Sequence, residues 1–367
     1  MSESIKLTET DRDLPTHVRN GFMRYREFQP MTQGGEAILQ TCVDENLGRV
    51  VVMKTLQTQY QNLEQYQRRF LREARVTAQI PHPATVPVYE LSRDANGNAY
   101  FTMKKLGGRD LCDILDRIAE GDQATQEEYP LDTLLNVLIH AGQCLAFAHS
   151  RGVVHRDMKP ANIMIGDYGE VTVLDWGLAK VWDMEDDEEI EKMIRSGQQK
   201  MSGRLTGKGD VQGTPFYMSP EQARETSEVD ERTDIYSMGV ILFEVLTWES
   251  HMSGRNFREI KRKILEDPIR VPRKAAPQRS IPGELNAVCV KALEKDETRR
   301  YQKMDDFVED LRAALLGKPV SVYNLPIHEK LLNWRREKFF SAPSLTWMLI
   351  GATLTLLVIW LGKLITS

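Results

Sequence analysis

The sequence lacks the features that mark several large classes of protein. Its four cysteines lie far apart, with no C-x-x-C pair and no His/Cys cluster at metal-ligand spacing, so neither a disulfide framework nor a structural zinc site is expected. Lys plus Arg total 48 against 53 Asp plus Glu, a net charge of −5. Without a basic excess, we expect no nucleic-acid partner. The opening MSESIKLTETDRDLP has neither the basic nor the apolar region of a secretory signal.

What is present is an ordinary globular composition, with 41% hydrophobic and 28% charged residues in 367. This excludes wholesale disorder and a polytopic membrane protein. The length predicts two structural units with additional segments, and the cysteines are expected to be reduced and intracellular.

One long apolar run stands near the C-terminus, at residues 343–361 (PSLTWMLIGATLTLLVIWL). As a helix it would reach roughly 28 Å, close to the thickness of a bilayer core, and Trp347 and Trp360 would lie near the interfaces. We therefore predict a single transmembrane helix, with a buried terminal helix as the alternative.

The charges beside this run predict its orientation. Lys330, Arg335, Arg336 and Lys338 precede it, and only Lys363 follows it in the short tail 362–367, which places the N-terminal part in the cytoplasm. The segment 317–342 is either a basic juxtamembrane stretch lying on anionic lipid or a plain linker. Gly351 and Thr355 form a small-xxx-small pair, so a homodimer remains open.

The rest of the chain changes pattern once. Residues 25–106, after an N-terminal extension 1–24, show short β-type runs (GRVVVMKTL, AYFTMKKL) around one helix at about 59–79. Residues 107–316 are mostly helical, with strong patterns such as LDTLLNVLIHAGQCLAFAHS and TDIYSMGVILFEVL. We predict an α+β, two-lobed fold, with a small β-rich lobe followed by a larger helical lobe.

Chemistry-bearing motifs concentrate where the two lobes should meet. HRDMKPAN occupies residues 155–162, and DWG begins at Asp175 behind a strand-like VTVL. Lys54 ends VVMK, Glu73 follows nineteen positions later, and GTPFYMSPE occupies 213–221. Together these motifs resemble the eukaryotic-type (Hanks-type) serine/threonine protein kinases, bacterial members above all, over about residues 25–316.

The resemblance implies ATP and Mg²⁺ as cofactors, with Mn²⁺ as an alternative metal, and proteins as substrates. In it Lys54 binds the ATP phosphates and is held by Glu73. Asp157 accepts the proton of the substrate hydroxyl, and Lys159 neutralises the transferred phosphate. The metal ligands correspond to Asn162 and Asp175, while His155 is expected to pack beneath the DWG turn.

The phosphate loop departs from the family pattern. Its three glycines fall on Thr32, Gly34 and Ala37, with Gly35 beside the surviving one, and a Cβ can obstruct the approach of backbone to phosphate. By the same resemblance, Leu39 roofs the adenine, Met103 is the gatekeeper, and the hinge consists of Lys104, Lys105 and Leu106.

A long activation segment is implied over 175–221. Arg156 resembles the arginine that binds a phosphate on this segment, for which the candidate phosphosites are Thr206, Ser202 and Ser196. Its acidic run, residues 183–191 (DMEDDEEIE), is either a solvated insert or an autoinhibitory occupant of the substrate-binding surface. The structural residues implied by the resemblance are Thr214 near the catalytic loop, Glu221 paired with Arg300, and Asp234 bound to the catalytic-loop backbone.

Three functions remain open from the sequence. The first is an active serine/threonine kinase held by one membrane span, its kinase domain in the cytoplasm at a bacterial inner membrane. The second is a pseudokinase scaffold, motivated by the altered glycine loop. A small-molecule phosphotransferase is third, because such enzymes share the catalytic aspartates but lack the GTPFYMSPE platform.

Overall fold

The computed structural model describes residues 18–33, 36–181, 214–224 and 229–323, with the backbone alone at 32, 33 and 214. The chain divides into two compact units, residues 1–322 and 323–367. Apart from Tyr323, every described residue belongs to the first unit, and the predicted transmembrane run 343–361 lies outside the described residues.

The first lobe is a five-stranded antiparallel sheet. The side chains of Val51, Met53, Tyr100 and Phe101 are almost fully buried, as the β-branched and aromatic composition of these runs favours. The strands are β1 (Tyr25–Gln33), β2 (Ala37–Asp44), β3 (Arg49–Leu56), β4 (Val88–Arg93) and β5 (Ala99–Lys104). Their order in the sheet is β1-β2-β3-β5-β4.

One helix, α1 (Glu64–Ala78), packs on this sheet through Phe70 and Ala74. The prediction of a helix from about residue 59 was wrong by roughly one turn. Residues 57–63 form successive turns, in which Gln61 donates its side-chain amide to the carbonyl of Leu56 at 3.0 Å. Helix-favouring glutamines here serve turn hydrogen bonds instead, which composition alone does not reveal.

The second lobe is helical, so the α+β arrangement of a sheet with one helix followed by a helical lobe is confirmed. Its helices are α2 (Leu111–Ala119), α3 (Gln123–Glu128), α4 (Leu131–Ser150), α5 (Pro220–Arg224), α6 (Arg232–Thr247), α7 (Phe257–Glu266), α8 (Pro272–Ala275), α9 (Gly283–Ala292) and α10 (Met304–Leu315).

Helices α4 and α6 form the centre of this lobe. Within the described ranges, α4 alone is long and apolar enough to cross a membrane, but 61% of its apolar window is buried inside the protein. It contacts α10, α6 and the two-residue strand Val153–Val154. A helix apolar on most sides is expected in the interior of a large lobe, and α4 has that place here.

Five short strands in the helical lobe flank the loops that carry the HRDMKPAN and DWG motifs. β6 (Arg109–Asp110), β8 (Ile163–Ile165) and β9 (Val171–Val173) form one small sheet, and β7 (Val153–Val154) pairs with β10 (Lys180–Val181). The HRDMKPAN loop lies between β7 and β8, and the DWG turn lies between β9 and β10. Both motifs are therefore anchored at each end.

Candidate active site

Lys54 and Glu73 form an ion pair between the sheet and α1. Lys54 Nζ donates to Glu73 Oε1 at 2.5 Å, and both side chains are largely buried. Burial alone would lower the pKa of Lys54, but the negative charges of Glu73 and Asp175 outweigh it and raise that pKa. The amine is therefore charged and fixed in position at neutral pH.

Asp175 begins the DWG turn in a left-handed conformation, with φ of 60°. Its Oδ1 accepts from the backbone N–H of Gly177 at 3.3 Å. A Cβ at Gly177 would come within 3.1 Å of Asp175 Oδ1, a tight contact that glycine avoids. Burial would raise the pKa of Asp175, but the charges of Lys54, Arg69 and Lys159 lower it overall.

The turn is supported from beneath by an aromatic contact. Trp176 is fully buried, and its ring lies 4.6 Å from that of His155. The Nε2 atom of His155 lies 3.0 Å from the carbonyl oxygen of Leu174. The buried ring of His155 thus packs against the turn, as the resemblance implies.

The HRDMKPAN loop, called the catalytic loop from here on, places two polar side chains around Asp157. Lys159 Nζ donates to Asp157 Oδ2 at 2.7 Å, and Asn162 Nδ2 donates to the carbonyl of Asp157 at 2.8 Å. Asp157 is 6% exposed, and no donor in the described residues reaches its Oδ1. A buried carboxylate oxygen without a donor is costly, which suits an atom that binds a substrate hydroxyl.

The metal-ligand chemistry fits Mg²⁺ bound together with a nucleotide. Asn162 uses its amide N–H on the loop backbone, which leaves its amide oxygen as an acceptor. Its backbone carbonyl accepts from the N–H of Leu174, the residue before Asp175, at 2.9 Å. Within the described ranges, no group of three or more His, Cys, Asp or Glu side chains could hold a metal. Two protein oxygens suit Mg²⁺, which retains waters and takes further ligands from phosphates.

Asp234 on α6 anchors the catalytic loop. Its Oδ2 accepts from the backbone N–H of His155 and its Oδ1 from that of Arg156, both at 2.9 Å. His149 Nε2 lies 2.8 Å from Oδ2. Burial would raise the pKa of Asp234, but the hydrogen bond and charge of His149, with that of His155, lower it. His149 was missed in the sequence, where a histidine ending a helix reads as a capping residue.

Arg156 has a left-handed backbone, with φ of 66°, and its Nε donates to the carbonyl of Leu178 at 2.8 Å. The side-chain amide of Gln222 donates to the carbonyl of Arg156 at 2.8 Å. The catalytic loop is thereby connected to the segment after DWG and to α5. Gln222 was also missed, because nothing in its sequence context distinguishes it from a surface glutamine.

Glu221, the last residue of the GTPFYMSPE motif, forms a buried ion pair with Arg300. The two guanidinium nitrogens of Arg300 donate to the two oxygens of Glu221 at 2.7 and 3.0 Å. Burial would raise the pKa of Glu221, but the hydrogen bonds and charge of Arg300 hold it below its ordinary value. Thr233 adds a hydrogen bond at 2.8 Å.

The nucleotide side of the cleft is formed by β1, β2 and the hinge. In the β1–β2 register Thr32 faces Leu39, and Ala37 begins β2. Met103 packs against the cluster of Leu56, Phe70 and Phe101. Lys104 and Lys105 are exposed and Leu106 is half-buried.

An ion pair that was missed connects the phosphate loop to α1. Arg69 donates to both oxygens of Glu36, at 3.1 and 2.8 Å. Arg69 lies one turn before Glu73 on the same helix face, and this spacing could have indicated that it also faces the cleft.

Several predicted residues cannot be placed. Gly34, Gly35, the side chains of Thr32 and Thr214, the acidic run 183–191 and the candidate phosphosites Thr206, Ser202 and Ser196 lie outside the described residues.

Comparison with known proteins agrees with this geometry. A family model described as protein kinase domain matches residues 25–310. Serine/threonine-protein kinase PknD of Protochlamydia amoebophila is 34% identical over 312 residues, which is 83% of this chain and 32% of that protein. PknD of Chlamydia caviae is 32% identical over 310 residues, again 83% of this chain and 32% of that protein. The chain spans about a third of the length of these relatives.

Proposed function

The chain belongs to the protein kinase family, and on that premise we propose that it is a serine/threonine protein kinase. It transfers the γ-phosphoryl group of ATP to Ser and Thr hydroxyls of proteins. The observation that carries the proposal is the cleft in which the Lys54–Glu73 pair lies close enough to Asp175 for their charges to interact. Asp157 lies on the neighbouring catalytic loop, and no donor in the described part of the chain reaches its Oδ1.

Lys54 supplies the positive charge that binds the phosphate oxygens. Transfer of a phosphoryl group requires mainly positioning and neutralisation of charge. Glu73 restrains the long Lys54 side chain, so its ammonium is held where phosphate oxygens bind. The raised pKa of Lys54 keeps that charge present over the physiological range.

Asn162 and Asp175 are the residues that would hold Mg²⁺. When bound, Mg²⁺ with ATP supplies the transferable phosphoryl group and neutralises its charge. The lowered pKa of Asp175 keeps its carboxylate ionised for this role.

The base is Asp157. We assign its Oδ1 to receive the proton of the substrate hydroxyl, because Oδ2 already accepts from Lys159. Lys159 lies beside the site of transfer, where its charge can stabilise the phosphoryl group. A lysine at this position favours Ser and Thr as acceptors.

The test is Mg²⁺-dependent transfer from labelled ATP to the chain itself and to a generic basic protein. Asp157→Asn should lower the rate about 1,000-fold, in the range seen when a base or a key electrostatic group is removed. Asp305→Asn, on the exposed first turn of α10, is the matched control and should leave the rate unchanged. Equal rates in wild type and Asp157→Asn would refute the assignment.

We further propose that residues 343–361 hold the kinase to a membrane, with residues 25–316 in the cytoplasm at a bacterial inner membrane. The support is the length of the apolar run and the basic residues before it. Membrane fractionation of the chain with and without residues 343–367 tests this. Recovery of the full chain in the soluble fraction would refute it.

Regulation by autophosphorylation is the third part of the proposal, with Thr206, Ser202 and Ser196 as acceptors and Arg156 as the residue that binds the phosphate. A homodimer formed through the membrane span would bring one activation segment to another active site. Mapping of phosphosites on wild type beside Asp157→Asn tests this. An unmodified activation segment in active wild type would contradict it.

A pseudokinase scaffold is the alternative, and Thr32 and Ala37 at two glycine positions favour it. In that case wild type free of phosphatase would transfer no phosphate, and neither would Thr32→Gly. Activity gained in Thr32→Gly alone would show that the loop limits binding of ATP.

A further inference from the structure

The face of α1 that carries Arg68, Arg72 and Arg75 borders a groove with a volume of about 530 Å³. Their spacing of i, i+4 and i+7 brings them to one side of the helix. Arg151, directly after α4, lines the same groove. Glu73, by contrast, bonds to Lys54 in the cleft, so α1 presents one face to the cleft and another to this groove.

The floor of the groove is apolar. Leu71, Val76 and Ile80 line it from α1 and its end, and Val153 and Val181 line it from the β7–β10 pair. Val76, Ile80 and Val153 are each less than a tenth exposed. An arginine rim above an apolar floor favours an occupant that carries both acidic and apolar side chains.

The positive charge of this groove is balanced only in part. Arg68 pairs with Glu64 at 2.5 Å, and the guanidinium of Arg151 lies 4.9 Å from the centre of the Phe147 ring. Within the part of the chain that the structure describes, no carboxylate pairs with Arg72 or Arg75. An acidic segment would therefore gain favourable interactions here without displacing existing ones.

The chain itself brings such a segment to the groove. Val181 pairs with Val153 in the register of β10 and β7, and both residues line the groove. The run 183–191 begins two residues later and carries seven acids together with Met184 and Ile190, and Trp182 directly precedes it. Nine extended residues span about 30 Å, whereas Arg68 to Arg75 covers about 10 Å of helix.

We propose that residues 182–191 bind in the arginine groove of α1. The acids pair with Arg72, Arg75 and Arg151, and the apolar side chains cover the floor. Because the segment is tethered at Val181, the contact is intramolecular and needs little affinity per residue. This site differs from the substrate-binding surface considered from the sequence.

The contact would act on catalysis through α1. A helix held on its groove face keeps Glu73, on its cleft face, at Lys54, so docking favours the position of α1 that binds nucleotide. This consequence rests on the proposed kinase function, but the contact itself does not. Docking and activity are therefore tested separately.

The docking test uses the full chain with Asp157→Asn, so that no autophosphorylation occurs. Arg72→Lys and Arg75→Lys preserve charge and supply amines that a zero-length carbodiimide reagent can couple to carboxylates. We expect cross-linked peptides that join positions 72 or 75 to residues 183–191, in yields that fall at 1 M salt, where the Debye length shrinks to about 3 Å.

Arg117→Lys on α2 is the control, since Arg117 pairs with Asp113. It should couple to position 113 and not to the acidic run. The absence of cross-links from positions 72 and 75 at low salt would overturn the proposal. So would equal coupling of the run to position 117.

The activity test reverses the charges. Arg72→Glu with Arg75→Glu should lower phosphotransfer about tenfold, within the range of typical coupling between sites, and Lys at positions 185–188 should restore it. Increased activity after charge reversal would overturn the activating role. If wild type transfers no phosphate while the cross-links form, the kinase assignment fails and the docking site stands.

Discussion

Substitution of Glu221 by Gln should be one of the most destabilising polar changes in the helical lobe. Arg300 is 1% exposed and gives two hydrogen bonds to Glu221, one to the carbonyl of Arg232 and one to that of Glu294. Gln keeps the shape and one acceptor oxygen but removes the charge. The guanidinium would remain buried with no carboxylate.

Breaking a buried ion pair by neutralising one partner costs about 3–5 kcal/mol. Since Gln retains an acceptor, we expect a loss near the lower end, about 3 kcal/mol. That is a large fraction of the roughly 5–15 kcal/mol that stabilises a typical protein. The variant should therefore unfold at clearly lower urea concentration.

Urea denaturation followed by tryptophan fluorescence measures this loss. Glu309→Gln is the control, because Glu309 pairs with Arg312 at the surface and is 68% exposed. Exposed pairs contribute about 0–1 kcal/mol, so this variant should match wild type. A loss below about 1 kcal/mol for Glu221→Gln would refute the reasoning.

The same pair predicts a pH dependence. The pKa of Glu221 is lower in the folded chain than its ordinary value, so the carboxylate contributes stability above its unfolded pKa. That contribution is lost as the pH falls through the folded pKa. Glu221→Gln should lack this part of the acid sensitivity, and the stabilities of the two proteins should converge in acid.

Three further predictions concern the site and its support. Glu73→Gln should lower kcat/KM about 100-fold, measured under conditions in which the variant is fully folded, because Lys54 loses its restraint; unchanged kinetics would contradict the pairing role. Asp234→Asn should lower the free energy of unfolding by about 2 kcal/mol, since two backbone N–H groups lose a charged acceptor; an unchanged midpoint would contradict this. Burial raises the pKa of Glu244 to about 7, so the free energy of unfolding of wild type should decrease as the pH rises from about 4.5 to about 7. Glu244→Gln should lack this decrease, and parallel pH profiles of the two proteins would contradict the assignment.

The elements with strong patterns were predictable from the sequence. LDTLLNVLIHAGQCLAFAHS is α4 from its first residue to its last, because Pro130 precedes it and the apolar residues continue along its length. The pairing of Lys54 with Glu73 was implied by the resemblance to the kinase family, and the two side chains are hydrogen-bonded in the structure. Local sequence patterns were therefore sufficient to predict elements whose formation depends on neighbouring residues.

Contacts across long separations were not predictable where the family resemblance does not imply them. His149 and Asp234 are 85 positions apart and Glu36 and Arg69 are 33 apart, and each residue would be ordinary on a surface. Such pairs depend on how the lobes fold, which no periodicity encodes. The start of α1 was misplaced for a related reason, because Gln61 and Gln67 bond to turn carbonyls.

Two non-glycine residues of the catalytic centre, Arg156 and Asp175, have left-handed backbones. Each costs about 1–3 kcal/mol relative to a relaxed backbone, so the centre is held against its own conformational preference by its surroundings. Glycine and asparagine adopt a left-handed backbone at lower cost than arginine. If this chain were selected for thermal stability alone, substitution of Arg156 by either residue would therefore be among the first changes. Variants that gain thermal stability and lose catalytic activity would identify the positions at which backbone strain serves catalysis.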